Sequence, residues 1–233
     1  MQQFYIPDID ANVTVHAFNE QESKHIARVL RKKSGDSLRL TNGKGLIFYG
    51  ILEVSSPKHC SITITSSEVA NTPKTYVHIA VAPTKNMDRF EWFLEKATEL
   101  GVQRITPILC ERSERKILKI ERCEKIIEAA LKQSLRAHKP ILDPLTTLKE
   151  FNTNASICCI AHCEDADKEK LQRVVSQQNN VCILIGPEGD FSNKEITWAK
   201  ELGIKAVDLG NARLRTETAA LVACHTVLLI NES

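Results

Sequence analysis

Two short segments combine glycine with charged residues in a pattern that could do chemistry. The first, 185–192, reads Ile-Gly-Pro-Glu-Gly-Asp-Phe-Ser and follows an apolar, β-branched run. The second, 209–219, places Arg213, Arg215 and Glu217 between a glycine and an apolar stretch typical of a helix. Glycine permits close approach to the backbone, and the first turn of a helix carries a partial positive charge. Two such turns in adjacent βα units predict one shared pocket.

The first turn is expected at the carboxyl edge of a parallel sheet. An apolar strand at 181–185 leads into it, and Ser192 with Glu195 forms an S-x-x-E capping box that begins a helix running to Gly203. Backbone N–H groups and the positive helix end then face the crevice where α/β proteins bind ligands. The GxxxxGK[ST] and GxGxxG patterns are both absent, which argues against a triphosphate loop and favours a nucleoside-type ligand.

The region 74–233 alternates strands with helices. Strands are predicted at 77–82, 105–109, 156–161, 181–185 and 206–209. Helices are predicted at 88–100, stopped by Gly101, and at 120–135, each from apolar residues at helical spacing. This alternation indicates a mainly parallel α/β sheet. A last helix, 216–230, is apolar almost all round, so we expect it to be buried on several sides, against its own sheet and a partner.

The first seventy residues are organised differently. Short β-rich runs at 14–16, 37–40, 46–52 and 61–64 alternate with Ser-Gly and Asn-Gly turns, and one helix is expected around 23–30. This pattern predicts a small β-barrel domain, 1–70. A linker at 66–74, containing Asn-Thr-Pro, precedes the second domain, 74–233.

Composition excludes several classes of protein. At 233 residues and 42% hydrophobic, the chain can build one large or two modest cores. No stretch approaches the roughly 18 apolar residues of a membrane span, and the start lacks a basic segment followed by an apolar run, so we expect a cytoplasmic protein.

The eight cysteines lie mostly in apolar runs, as reduced thiols do. Cys159, His162 and Cys163 lack a paired CxxC, so no metal is expected.

Charge is segregated along the chain, although the net charge is only +2. Residues 74–140 carry fourteen Lys and Arg against nine Asp and Glu, whereas residues 141–233 carry nine against thirteen. A second basic cluster lies within residues 24–39, where only Asp36 opposes the cations. Such a cluster attracts phosphates in a salt-dependent way, and its alternative is an ordinary solvated helix face.

Taken together, these motifs resemble the bacterial 16S ribosomal RNA uridine N3-methyltransferases of the SPOUT superfamily. The resemblance is carried by Gly-Pro-Glu-Gly at 186–189 and by Leu-Arg-Thr-Glu-Thr-Ala at 214–219. Further matches are Lys85, Arg89, Glu95, Lys96, Glu99, Leu100, Gly101, Val102, Pro107, Arg112, Ser113, Gln133, Ser134 and Arg136. Val29, Leu30, Arg31, Gly35 and Asp36 resemble its small PUA-like barrel, so nearly the whole chain is covered. The chain departs from the pattern at Asp190, where a second glycine is frequent, and at Ala212 and Arg213.

The resemblance implies a knotted SPOUT domain with a mainly parallel sheet, preceded by a PUA-like barrel. It further implies S-adenosylmethionine bound at a C-terminal trefoil knot, a homodimer, and methylation of uridine N3 in 16S rRNA, either free or within the small ribosomal subunit. Two alternatives stay open: a SPOUT methyltransferase acting on another RNA, and a non-catalytic RNA-binding protein. Intact residues at 186–189 and 215–217 favour the enzyme.

The resemblance also implies roles for individual residues. Methyl transfer from a sulfonium requires positioning of the donor and removal of the N3 proton. Arg215 is expected to stabilise charge on the uracil oxygens, and Glu217 or Glu188 to accept or orient the proton. A plain salt bridge at the helix start is the alternative for Arg215 and Glu217.

The remaining implied contacts fall into two groups. Residues expected to hold the donor are Ile185, Gly186, Pro187, Glu188, Gly189, Leu209, Gly210, Leu214 and Thr216. Residues expected to contact RNA phosphates are Lys24, Arg28, Arg31, Lys32, Lys33, Lys85, Arg89, Arg112 and Arg136. Intrachain ion pairs are the alternative for Arg89 and Arg136.

Overall fold

The computed structural model of the protein describes residues 2–164 and 167–231. Contacts divide the chain into two compact units. The first unit extends to Thr72 and also includes Leu131–Lys139, and the second begins at Pro73 and omits that segment. The segment Leu131–Lys139, which the sequence places in the domain 74–233, thus belongs with the first unit.

The first unit is built on a five-stranded sheet. Its strands are β1 (Gln3–Tyr5), β2 (Val15–Ala17), β3 (Ser37–Thr41), β4 (Leu46–Ser56) and β5 (His59–Val69). They pair in the order β1-β3-β4-β5-β2, and every pair except β1–β3 is antiparallel. The predicted start of the linker at 66 is wrong, because β5 continues to Val69, which lies opposite Leu46 of β4.

The helix of the first unit starts earlier than predicted. The Asn19 side chain accepts a hydrogen bond from Glu22 N at 2.8 Å, which starts helix α1 (Glu20–Lys24) three residues before position 23. The chain then continues as a single π-helical turn, His25–Val29. Such turns are rare in proteins, and many of those that occur lie at functional sites.

The late segment of the first unit is fastened to it by hydrogen bonds. Gln3 Nε2 donates to Leu131 O at 3.0 Å and to Arg136 O at 2.9 Å. Gly45 N donates to Ala137 O at 3.0 Å. These bonds satisfy buried or partly buried polar groups, so the segment is an integral part of this unit.

The second unit contains a parallel sheet. Its strands are β6 (Tyr76–Val81), β7 (Arg104–Leu109), β8 (Ile141–Leu142), β9 (Thr146–Thr147), β10 (Ile157–Ala161), β11 (Glu169–Lys170), β12 (Asn180–Ile185) and β13 (Lys205–Asp208). Seven pair in the order β11-β13-β10-β12-β6-β7-β8, β9 pairs with β7, and all these pairs are parallel. The prediction of a mainly parallel α/β sheet is confirmed, with the five predicted strands within one residue at each end.

The remaining helices begin and end largely where local signals predict. They are α2 (Met87–Leu100), α3 (Ile120–Gln133), α4 (Leu171–Val175), α5 (Asn193–Glu201) and α6 (Thr216–Asn231). Gly101 ends α2 in the left-handed region at φ 100°, and Ser192 with Glu195 forms the predicted capping box of α5. Helix α3 ends two residues before the predicted position 135, where Leu135 has φ 56°.

Both faces of the central strands are buried. Alternate residues of β6 point to opposite sides: Val77, Ile79 and Val81 join a core with α2 and α6, and Ala80 joins a core with Phe191 and α5. Helix α6 is buried along one side only. Its other side includes His225 and Leu229, which is 59% exposed, so the predicted burial on several sides is not reached within the single chain.

No helix in the described ranges is long and apolar enough to cross a bilayer.

Candidate active site

The two glycine turns meet at the carboxyl edge of the parallel sheet. The first follows β12 and the second follows β13, and β10 lies between these strands. Thr216, the first residue of α6, donates through Oγ1 to Gly186 O at 3.1 Å, and this bond is buried. The start of α6 is therefore fastened to the first turn, which brings both motifs into one site.

The first turn is shaped by its own close contacts. A Cβ on Gly186 would lie 3.0 Å from the ring of buried Phe191, so this backbone packs directly on the ring. Pro187 is buried, whereas Glu188 and Gly189 are exposed to solvent. The turn thus presents its tip outward and leaves its base in the core.

Asp190 has a structural role where the chain departs from the glycine pattern. Its φ is 63°, a left-handed conformation that Asp tolerates better than most residues. One carboxylate oxygen accepts from Phe191 N at 2.8 Å, and the other accepts from Cys163 N at 2.7 Å. Asp190 therefore ties the first turn to the loop after β10.

The second turn requires glycine at one position. Gly210 has φ 130°, and its N–H donates to Asp208 Oδ1 at 2.9 Å. Leu209 and Leu214 are half-buried on either side of the turn. A cavity of about 170 Å³ borders this turn, between the start of α4 and Thr226 of α6.

The three predicted catalytic side chains lie in contrasting environments. Arg215 is exposed, and its guanidinium makes no hydrogen bond or ion pair within residues 2–164 and 167–231. Glu217 is buried, with Oε1 3.9 Å from Arg89 Nε and with Oε2 unpartnered among the described residues. Glu188 is exposed, and its Oε1 accepts from Lys85 N at 2.9 Å.

The predicted RNA-binding cations of the second unit already have protein partners. Arg112 Nη1 donates to Gly189 O at 2.9 Å and to Phe191 O at 3.3 Å, so it braces the first turn. Lys85 Nζ pairs with Glu114 at 2.8 Å, and this hydrogen bond raises the pKa of Lys85. Arg89 lies beside the Glu217 carboxylate, as its ion-pair alternative anticipates.

The other predicted RNA-binding residues belong to the first unit. They are Lys24, Arg28, Arg31, Lys32, Lys33 and Arg136, and all except half-buried Lys32 are exposed. Arg31 follows Leu30, the residue that caps the π-helical turn, and has φ 53°. This left-handed conformation changes the chain direction before Lys32 and Lys33.

One residue of the site was considered in the sequence only as a metal ligand. His162 immediately follows β10, at the same sheet edge as both turns, and is 8% exposed. Burial and then the nearby Lys168 ammonium lower its pKa. No group of three or more His, Cys, Asp or Glu in the described part of the chain could hold a metal ion. The sequence offered one signal for His162 as a site residue, namely that it directly follows the predicted strand 156–161.

Comparison with known proteins identifies the family. The profile of an RNA methyltransferase domain matches residues 71–228, and that of an RNA methyltransferase PUA domain matches residues 18–65. The chain belongs to the RNA methyltransferase family. The predicted enzyme class and PUA-like domain are confirmed.

Individual relatives match along nearly their whole length. The ribosomal RNA small subunit methyltransferase E of Rickettsia conorii is 28% identical over 223 residues, covering 94% of this chain and 91% of that protein. A "probable rRNA-methyltransferase" from Porphyromonas gingivalis is 37% identical with a TM-score of 0.91, covering 100% of this chain and 99% of that one. A ribosomal RNA small subunit methyltransferase E from Neisseria gonorrhoeae, solved bound to S-adenosyl methionine, is 26% identical with a TM-score of 0.85, covering 96% and 95%.

Proposed function

We propose that this RNA methyltransferase transfers the methyl group of S-adenosylmethionine to N3 of a specific uridine in 16S ribosomal RNA. The observation that carries the proposal is the hydrogen bond between Thr216 and Gly186, which joins the two glycine turns beside Arg215 and Glu217. The substrate class is supported by the ribosomal RNA small subunit methyltransferases to which the chain is similar. The substrate is this RNA, free or within the small ribosomal subunit.

The loops fit a nucleoside-type methyl donor. The residues that would hold it are Ile185, Gly186, Pro187, Glu188, Gly189, Leu209, Gly210, Leu214 and Thr216. Internal hydrogen bonds preorganise the base of each turn: Gly186 O accepts from Thr216 Oγ1 at 3.1 Å, and Gly210 N donates to Asp208 Oδ1 at 2.9 Å. The two unpartnered ring nitrogens of buried His162 leave hydrogen-bonding capacity at the same edge. The donor, when bound, supplies an electrophilic methyl group on a cationic sulfonium.

The protein's own chemistry concerns the uracil ring and its proton. Loss of the N3 proton places negative charge on the uracil oxygens, and the Arg215 guanidinium offers fixed donors and a permanent positive charge to them. Glu188 and Glu217 are the two carboxylates available to accept or orient that proton. Glu188 is open to solvent, whereas Glu217 is buried beside Arg89. Methyl-transfer rates of the Glu188→Gln and Glu217→Gln variants show which carboxylate accepts or orients the proton.

The RNA is bound chiefly through phosphate and shape. The exposed cations of the first unit, Lys24, Arg28, Arg31, Lys33 and Arg136, support phosphate contacts, with half-buried Lys32 between them. Few aromatic side chains are available, at 5% of the sequence, so base stacking contributes little. The target uridine must be unstacked for its N3 edge to reach the donor.

We assign RNA binding to the domain predicted at 1–70, together with the segment Leu131–Lys139 that belongs with it, and methyl transfer to the rest of the domain 74–233. The family resemblance also leads us to propose a closed barrel in the first domain, a C-terminal trefoil knot in the second, and a homodimer in the cytoplasm. The partly open apolar side of α6, including Leu229, supports the dimer.

Two experiments test this function. Calorimetric titration with S-adenosylmethionine should give saturable binding, and no binding at millimolar ligand would contradict the enzyme. Mass-spectrometric mapping of 16S rRNA from cells with and without the protein should reveal one uridine that loses an N3 methyl group. A modified base elsewhere, or in another RNA, would replace the proposed substrate.

A further inference from the structure

The loop that follows β10 stands between the two glycine turns. In the parallel sheet β10 pairs with β12 on one side and with β13 on the other. Ala161, the last residue of β10, is in register with Ile185 and with Val207. The next residue, His162, therefore lies at the junction of the turns to which the proposed function assigns the methyl donor.

The His162 side chain is buried but chemically unsatisfied. It is 8% exposed, and neither ring nitrogen has a hydrogen-bond partner within residues 2–164 and 167–231. A neutral imidazole has one N–H donor and one acceptor nitrogen. Leaving such groups unpaired in a protein interior is unfavourable, so two unpaired nitrogens at a sheet edge indicate a partner outside the chain.

The backbone at His162 and at the two residues after it is held by three hydrogen bonds from side chains. Asp190 Oδ2 accepts from Cys163 N at 2.7 Å. Lys168 Nζ donates to His162 O at 3.1 Å and to Glu164 O at 2.9 Å. These contacts fix the backbone that carries the imidazole. Burial first, and then the nearby lysine, lower the pKa of His162, which favours the uncharged ring.

We propose that His162 is a ligand-binding residue of the donor site and hydrogen-bonds the adenosine half of S-adenosylmethionine through its two unpartnered ring nitrogens. The inference rests on the proposed function, because it takes the two turns as the donor site. An uncharged ring with one donor and one acceptor matches ribose hydroxyls and adenine nitrogens, which are also uncharged. The sulfonium and the amino-acid tail carry charges, which an uncharged ring complements less well than a charged side chain does.

The first test replaces His162 with phenylalanine. His162→Phe keeps a planar ring and removes both unsatisfied nitrogens, so the melting temperature should stay the same or rise. Affinity for S-adenosylhomocysteine and for adenosine, measured by calorimetry without RNA, should fall about tenfold because hydrogen bonds to the adenosine half are lost. A purely structural histidine would lose stability instead.

His78 provides the matched control. It is a second buried histidine of the same unit, 3% exposed, but both of its nitrogens have partners. Nε2 lies 2.7 Å from Thr106 Oγ1, and Nδ1 lies 3.3 Å from Thr153 Oγ1. His78→Phe should therefore show the opposite pattern, with a lower melting temperature and unchanged affinity for both ligands.

The outcomes separate this inference from the proposed function. Wild-type affinity in His162→Phe, with wild-type protein binding S-adenosylmethionine normally, overturns only the role of His162. If the wild-type protein binds neither S-adenosylmethionine nor S-adenosylhomocysteine, the proposed function fails and this inference with it. Should His162→Phe not fold, His162→Leu removes the same nitrogens in a smaller side chain, and the same loss of affinity is expected of it.

Discussion

At the scale of single residues, the charged side chains of the site differ in their exposure and in whether they have a partner within the protein. Arg215 is exposed and unpaired within the part of the chain that the structure describes, whereas Glu217 is buried near Arg89. A guanidinium without a protein partner is available to a substrate, and it cannot act as a base because it does not deprotonate. The sequence left open a plain salt bridge between Arg215 and Glu217 at the start of the helix. The unpaired guanidinium instead favours the role of Arg215 in stabilising charge on the substrate.

Replacing Arg215 by alanine should lower the rate of methyl transfer about a hundredfold or more, the usual cost of removing one group that stabilises developing charge. The melting temperature should not change, because the side chain is exposed and makes no hydrogen bond or ion pair among the described residues. Single-turnover transfer of labelled methyl to 16S rRNA measures the rate. Arg213→Ala is the control, since it removes an exposed charge two residues away. Equal losses in both variants would show a general charge effect and contradict the assigned role.

At the scale of elements, the first glycine turn depends on residues from other loops. Arg112 comes from the loop after β7, and it donates to carbonyls on both sides of Asp190. A Cβ on Gly189 would lie 3.2 Å from Arg112 Cβ, so the two loops are in close contact. A residue predicted to contact RNA therefore also shapes the turn proposed to hold the donor.

Arg112→Ala should weaken S-adenosylmethionine binding about fivefold in the absence of RNA, because loss of these bonds, worth about 1 kcal/mol, loosens the turn. Calorimetric titration gives the affinity directly. Lys116→Ala removes an exposed charge from the same loop and should leave donor affinity unchanged. If donor affinity is normal in Arg112→Ala and only RNA affinity falls, the bracing role is wrong.

At the scale of the whole molecule, helix α6 has one buried side and one side that is open to solvent in the single chain. Its buried residues are Thr216, Glu217, Ala220, Ala223, Cys224 and Val227. The opposite side retains apolar surface at Leu229, near the end of the helix. Exposed apolar surface on a helix with few charges supports an interface between two copies of the chain.

Leu229→Glu should convert the proposed dimer to a monomer, because a charge at an apolar interface is costly to bury. Light scattering across a concentration series measures the mass. Leu202→Glu is the matched control: Leu202 is 62% exposed, lies at the end of α5, and should leave the dimer intact. A monomeric wild-type protein, or a dimer that tolerates Leu229→Glu, would reject this interface.

The elements predictable from sequence are those with strong local signals. The glycine stop of α2 and the capping box of α5 depend on residues within one helical turn, and the central strands on unbroken apolar runs. Strands β1, β8, β9 and β11 span only two or three residues, too few to show a periodic pattern. The resemblance of 186–189 and 214–219 to methyltransferase motifs likewise needed only the order of residues.

Sequence alone determined the family, the parallel α/β sheet and the two turns that mark the site. Only the tertiary structure decided that Thr216 bonds to Gly186, that β10 separates β12 from β13, and that Leu131–Lys139 packs with the first unit. The physical reason is the distance along the chain over which each interaction acts. Capping and hydrophobic periodicity act between near neighbours in the chain, whereas strand order and the burial of His162 and Glu217 depend on which distant surfaces pack together.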